Sequence, residues 1–419
     1  MRAVVFILRG CPAGWLGAYG NEWVGTPHLD RFASEGVVFD RHFSDRPEPA
    51  AASLVWLGAG LLPTLRAANV HTVLVRANHP DTDAPEWYYA RWGEVFDARP
   101  DAADDSPLDA LRRSLPALLD RLAATPDFLL WVETDRLLPP WDVPQEVFEA
   151  YLGAGDDEDE PPDENTDEDE EGADEEEQEG ASDDELEPAA SGPVPVGPVP
   201  EEPVTPWSDP PTGPFDTADP AAREWLHTTF AAVVTKLDAE LGDVFDHLRT
   251  RGLDRSAAWL VTSDFGYPLG EHGQVGLHRP WLHEELVHLP LLLRLPDATE
   301  ACRRVGAFTQ PPDLAPTLLD LFGVKPEGAP TGFNLLPLAR GDAVSVRPFA
   351  VSSLELGPAA ELAIRTDDWA YLLPARVPEG ETREPQLFEK PDDRWEVNDL
   401  RPRNIERADE LEAVLKKKD

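Results

Sequence analysis

Basic residues are scarce in this sequence and cysteines almost absent. Lys and Arg number 36 against 81 Asp and Glu, a formal charge of −45 over 419 residues. An acidic body repels phosphate backbones, which argues against nucleic acid and anionic membranes as partners. Two cysteines, Cys11 and Cys302, exclude a disulfide framework, and Cys-rich zinc spacing is missing. A single bridge is arithmetically open, but two buried free thiols are the expectation. Long hydrophobic runs are also missing: none approaches the ~20 residues that span a bilayer. The run Ala3 to Leu8 faintly imitates a signal peptide, but it is six residues long and is cut by Arg9, short of the ~7–15 of a signal core. It reads as the first strand of a fold, and the protein is expected in the cytoplasm.

What is present is a core-forming chain with one unusual segment. Hydrophobic residues make up 41% of the chain, enough for a large core, so disorder throughout is excluded. Between Asp156 and Glu187 there are 21 acidic residues and no basic one. The other 60 acidic residues still outnumber the 36 basic ones, so the body is acidic without this run. The acidic run and the proline-rich stretch after it cannot bury enough apolar area to offset chain entropy. Three readings of the run stay open: a solvating spacer, a weak sink for multivalent cations, or a docking tail for a basic protein. EF-hand spacing is missing, which argues against specific Ca²⁺ binding there.

Outside that run, apolar strands alternate with amphipathic helices. Ala3 to Leu8, Val70 to Val75, Phe128 to Val132, Ala257 to Val261 and Leu289 to Leu295 read as buried strands. Helices are expected after Thr26-Pro27, over Leu61 to Ala68, from Ser106-Pro107 through Leu122, from about Ala221 to Arg251, and over Pro312 to Phe322. The pattern implies an α/β fold with a large, mostly parallel sheet sandwiched by helices. From about Arg347 short strands take over, implying a small C-terminal antiparallel-sheet subdomain. The expected organisation is an α/β domain over 1–344, interrupted by an insertion over 155–218, with the subdomain over 345–419.

Several segments then resemble the sulfatase family of the alkaline-phosphatase-like superfamily. Leu16-Gly17-Ala18-Tyr19-Gly20-Asn21 is similar to that family's L-G-x-Y-G-N. Thr26-Pro27-His28-Leu29-Asp30 through Glu35-Gly36-Val37-Val38-Phe39 is similar to T-P-N-L-D-x-L-A-x-E-G-x-x-F. Ser263-Asp264-Phe265-Gly266 with Leu269-Gly270-Glu271-His272-Gly273 resembles S-D-H-G…L-G-E-H-G. Ala315 to Leu321 resembles A-P-T-L-L-D-L. The resemblance implies the sulfatase fold and a site for sulfuric-ester hydrolysis. That chemistry needs a divalent cation to hold the sulfate, an in-line oxygen nucleophile, and cationic groups around the leaving oxygen.

At most of the positions the resemblance assigns to that chemistry, this sequence departs from the family. The paired metal-binding aspartates after the first strand correspond to Arg9 and Gly10. The nucleophile of C/S-x-P-x-R falls on Pro47 or Pro49, depending on register, and proline has no nucleophilic atom. The second metal-binding position of the later motif is Phe265, leaving Asp264 as a vestigial ligand. The lysine of G-K-W-H is Ala77, and the histidine of D-P-H-x-P-Y is Leu138. His79 and Arg279 remain as vestiges, His79 having a structural, hydrogen-bonded role as its other reading. One carboxylate cannot build the oxygen shell of Ca²⁺ or Mg²⁺, so no cofactor is expected, Ca or Mg entering only if the site is rebuilt. Arg9 and Asp264, at the ends of neighbouring strands, are expected to pair where the metal would sit. His278, Arg279 and His283 form a possible anion-binding group, and Trp141 a possible stacking platform.

The expected function is a sulfatase-like protein, catalytically inactive, that acts by binding or interaction. One alternative is an active sulfate- or phosphate-ester hydrolase with a rearranged metal site. Another is a scaffold working through its acidic insertion.

Overall fold

A computed structural model of the protein describes residues 1–48, 60–77, 86–98, 106–152, 204–326, 328 and 331–417. Met1–Tyr151 and Pro206–Asp419 form one compact unit. The acidic run therefore lies outside the described residues.

The strands of the large sheet are β1 (Arg2–Leu8), β2 (Val37–Phe43), β3 (His71–Ala77), β4 (Glu94–Asp97) and β5 (Phe128–Thr134) from the first part of the chain. After β6 (Gly213–Pro214), which pairs only with β8 (Gln274–Val275), the sheet is completed by β7 (Ala257–Thr262), β9 (His288–Leu289), β10 (Leu291–Arg294) and β11 (Arg303–Thr309). The order is β11-β2-β10-β7-β1-β5-β3-β4, with β9 on β2. β1 lies between β5 and β7, parallel to both, while β10 runs antiparallel to β2 and β7. The sheet is thus mixed but mostly parallel. Parallel strands covered on both faces read as near-continuous apolar runs, which is why Ala3 to Leu8 carries no alternation.

Side chains alternate between the two faces. Val4, Phe6 and Leu8 join Phe230, Leu237 and Phe245 of the helix Pro220–Thr250 in one core. Ala3, Val5 and Ile7 join Leu62, Leu65, Leu314 and Leu318 in the other. Ser106 caps the helix Pro107–Ala123: its Oγ accepts from Asp109 N at 3.0 Å, and Asp109 answers the Ser106 N–H in a capping box. A second sheet of four antiparallel strands follows, β12 (Ala350–Leu356), β13 (Ala359–Arg365), β14 (Trp369–Arg376) and β15 (Gln386–Glu389). It buries Ile364, Tyr371 and Leu387 against Ala408, Leu411 and Leu415 of the helix Ile405–Leu415.

One expectation needs correction. Both cysteines are free, but only Cys11 is buried and Cys302 is exposed. Cys302 sits before β11 in a left-handed turn (φ 58°), where the chain rounds the sheet edge. No helix among the described residues is long and apolar enough to cross a membrane.

Candidate functional site

The ends of β1, β5 and β7 meet because the three strands are neighbours in register: Ile7 pairs with Glu133 and with Thr262. Just past β1 the Arg9 N–H donates to Thr134 O at 2.9 Å, extending the pairing by one residue. Gly10 then turns with φ 77° and bridges to Gly266. The left-handed backbone favours glycine here, and a Cβ, falling 2.5 Å from Leu138 Cδ2, would also have to displace that side chain.

Arg9, Glu133 and Asp264 are all buried at these strand ends. Arg9 Nη2 donates to Glu133 Oε2 at 3.2 Å, and Arg9 Nε stands 3.9 Å from Asp264 Oδ2. Glu133 Oε1 accepts from Trp131 Nε1 at 2.9 Å and from the Tyr88 hydroxyl. Asp264 Oδ1 accepts from the backbone N–H groups of Gly10 (3.2 Å) and Phe265 (3.0 Å). Among the described residues, Asp264 Oδ2 and Arg9 Nε have no hydrogen-bond partner. Burial by itself would lower the Arg9 pKa, but the Glu133 and Asp264 carboxylates outweigh it and hold the guanidinium charged. Burial pushes Asp264 up to about 6, against the pull of Arg9 and the Gly10 N–H.

The group at these strand ends does not fit a divalent cation. A guanidinium lies between the two carboxylates, Gly10 offers no side chain, and Phe265 and Leu138 bring hydrocarbon. Among the described residues Asp264 keeps one oxygen free of hydrogen bonds, far from the six or more that Ca²⁺ or Mg²⁺ takes. Among the described residues no group of three or more His, Cys, Asp or Glu is arranged to hold a metal.

The other sequence-derived residues are dispersed. Pro47 is buried beyond β2; Pro49 and His79 lie outside the described residues. In the same segment Ser44 is buried, its Oγ donating to Asp264 O at 3.5 Å. His278, Arg279 and His283 line one cavity of about 710 Å³, together with Arg376 and Arg383. Within it Arg279 pairs with Glu381 at 2.8 Å and Arg383 with Glu361 at 2.9 Å. His283 is buried, with Nδ1 3.0 Å from Glu396 Oε2. Trp141 does not offer a platform: it is buried, packs on Phe230 and Tyr267, and donates Nε1 to Leu137 O at 3.0 Å. Its ring fills the core beside the strand ends instead of facing a cleft.

Glu133 is the site residue that motif matching misses. It lies outside the family motifs, yet it is the one charged residue inside the apolar strand Phe128–Thr134. A carboxylate in such a strand needs a buried partner, and that need is the signal.

The fold is shared with solved phosphonate monoester hydrolases. The phosphonate monoester hydrolase of Agrobacterium radiobacter superposes with a TM-score of 0.67 at 16% identity, over 99% of this chain and 94% of that one. The enzyme of the same name from Silicibacter pomeroyi gives 0.65 at 17%, with the same coverage. At such identities the likeness concerns the fold alone. The family model Sulfatase matches residues 73–324, and the chain belongs to the sulfatase family. Among curated relatives, the N-acetylglucosamine-6-O-sulfatase of Bacteroides thetaiotaomicron is 31% identical over 113 residues, 27% of this chain and 20% of that protein. Arylsulfatase K of Gallus gallus is 28% identical over 200 residues, 46% of this chain and 36% of that protein. The chain thus spans only about a fifth to a third of the length of these curated relatives.

Proposed function

We propose that this sulfatase-family protein does not hydrolyse sulfate esters and acts by binding, with the Arg9 guanidinium standing where the family holds its divalent cation. The observation that carries this reading is the buried triad in which Arg9 lies 3.2 Å from Glu133 and 3.9 Å from Asp264. A guanidinium neutralises carboxylates through hydrogen bonds, but it supplies no Lewis acid and no activated nucleophile. Pro47 and Pro49, the alternative nucleophile positions, bear no atom that could attack sulfur. On this reading no metal cofactor is needed, and the cavity holding His278, Arg279 and Arg376 is the surface for an anionic ligand. The acidic run 156–187 would engage cations or a basic protein, and the protein would work in the cytoplasm.

The family match favours a second reading, an active sulfate- or phosphate-ester hydrolase with a rearranged site. Turnover of 4-nitrophenyl sulfate and 4-nitrophenyl phosphate, with Ca²⁺ or Mg²⁺ supplied, separates the two. The binding reading expects no release above buffer. Release that disappears in Asp264→Ala would establish the hydrolase.

A further inference from the structure

A second cavity, of about 350 Å³, has none of Arg9, Glu133 and Asp264 in its lining and takes in Lys390, Pro391 and Arg394 of the segment that follows β15. We infer that it is a binding site for a small organic anion with an aromatic or aliphatic body, such as a sulfonate, a sulfate ester or a carboxylate.

Its charge is opposite to that of the chain. Arg41, Arg304, Arg365, Lys390 and Arg394 line it against Asp40, Glu284 and Asp367, in a protein of net charge −45. Arg365 and Lys390 are committed: Arg365 Nη2 donates to Glu396 Oε1 at 2.7 Å, and Lys390 Nζ lies 3.2 Å from Glu284 Oε2. Arg304 pairs with Asp40, and Arg41 pairs at 2.5 Å with Asp367, whose side chain is 72% exposed. Arg394 is the surplus cation. Its Nη2 donates to Tyr19 O at 3.2 Å, and among the described residues no carboxylate forms an ion pair with it.

The floor is apolar and aromatic. The Phe43 and Phe308 rings stand 6.1 Å apart, the His288 ring stacks on Phe43 at 4.9 Å, and the Arg41 guanidinium covers Phe308 at 4.1 Å. An inorganic anion would gain one guanidinium and leave this floor unused. A neutral hydrocarbon would use the floor and leave Arg394 uncompensated. A ligand joining both features satisfies the site, and the volume suits a small molecule. Arg394 would hold the head, while the body lies against the floor beside the Arg41 guanidinium that covers Phe308. No part of this depends on whether the strand ends hydrolyse esters.

Calorimetric titration of the full chain with naphthalene-1-sulfonate tests the site, with sodium sulfate and naphthalene-1-methanol as the two half-ligands. Saturable one-to-one binding is expected, about tenfold weaker in Arg394→Gln, the loss of one charge-assisted hydrogen bond. The two half-ligands should bind far more weakly. Arg41→Gln, at a rim position, should also weaken it and serves if Arg394→Gln does not fold. No saturable heat, binding unchanged by either variant, or binding lost instead in Arg376→Gln of the other cavity would overturn the proposal.

Discussion

Two buried charge clusters in this molecule are built from the same groups and satisfied to different degrees. At the strand ends one guanidinium serves two carboxylates, and among the described residues neither Arg9 Nε nor Asp264 Oδ2 finds a hydrogen-bond partner. Where the four-stranded sheet meets the large one, Glu396 receives Arg365 at 2.7 Å, the Glu284 N–H at 3.2 Å and Lys390 at 3.3 Å, with His283 Nδ1 3.0 Å away. Glu284 adds Lys390 at 3.2 Å and His288 at 2.9 Å. Buried carboxylates are costly unless paired and hydrogen-bonded. Their pKa values move in opposite directions. Burial raises Asp264 to about 6, whereas at Glu284 the burial penalty is overcome by Lys390, His288 and Arg365 and the value falls to about 2. The second cluster is a structural joint. The first is a site whose geometry holds together while its groups remain partly unpaired.

This contrast can be sharpened by substitution, beginning with the joint. Glu396→Ala leaves Arg365 and Lys390 buried with half their counter-charge, and a loss of about 3–5 kcal/mol is expected in urea unfolding. A loss below about 1 kcal/mol would mean that the joint is not the stronger cluster. Arg9→Ala comes next, at about 2–4 kcal/mol. Its pH dependence is diagnostic. Asp264 already binds its proton more tightly in the folded state than in the unfolded one, so its ionisation costs stability as the pH climbs from about 4 through about 6. Without Arg9 that cost grows and extends upward, so the gap to the unaltered protein should widen between pH 5 and pH 8. An equal melting temperature across that range would show that Arg9 is not paired.

The histidine stack belongs to the joint and titrates in the opposite sense. His272 and His283 lie 3.7 Å apart with rings within 6° of parallel. Burial drives His283 down to about 4, whereas the Glu285 carboxylate at 2.8 Å overrides burial and raises His272 to about 9. The raised His272 contributes stability fully below its unfolded value near 6.5, and that contribution is lost as the pH rises through about 9. His272→Gln should therefore cost on the order of 2 kcal/mol near pH 6 and little near pH 10, read from thermal unfolding across that range. The smallest effect is expected at the surface. Arg279 and Glu381 are both more than a third exposed, and Arg279→Ala should change stability by about 0–1 kcal/mol. A larger loss would make that pair part of a network that the distances do not show.

Much of the architecture was legible because parallel strands and their helices leave strong patterns. Ala3 to Leu8 became β1, the helix expected over about Ala221 to Arg251 runs from Pro220 to Thr250, and the C-terminal strands form their own antiparallel sheet. The proximity of Arg9 and Asp264 was legible because both end strands that lie side by side. The lone charge of Glu133 in an apolar strand signals a buried partner, but which partner was not legible, since Arg9 and Tyr88 come from separate elements and only the folded sheet brings them together. The aromatic-floored cavity was hidden for the same reason. Arg41, Arg304 and Arg394 are far apart in the chain, and one basic residue among many acidic ones carries no local signal. Trp141 misled because proximity to a motif says nothing about which way an indole packs.

The most direct measurement is calorimetric titration of Ca²⁺ and Mg²⁺ into the full chain and into a version lacking residues 155–190. With Arg9 holding the strand ends, only weak, multi-site heat is expected, and it should vanish with the deleted segment. Tight single-site binding that survives the deletion would contradict the account: a cation would then occupy the place assigned to the guanidinium, and the hydrolase reading would take precedence.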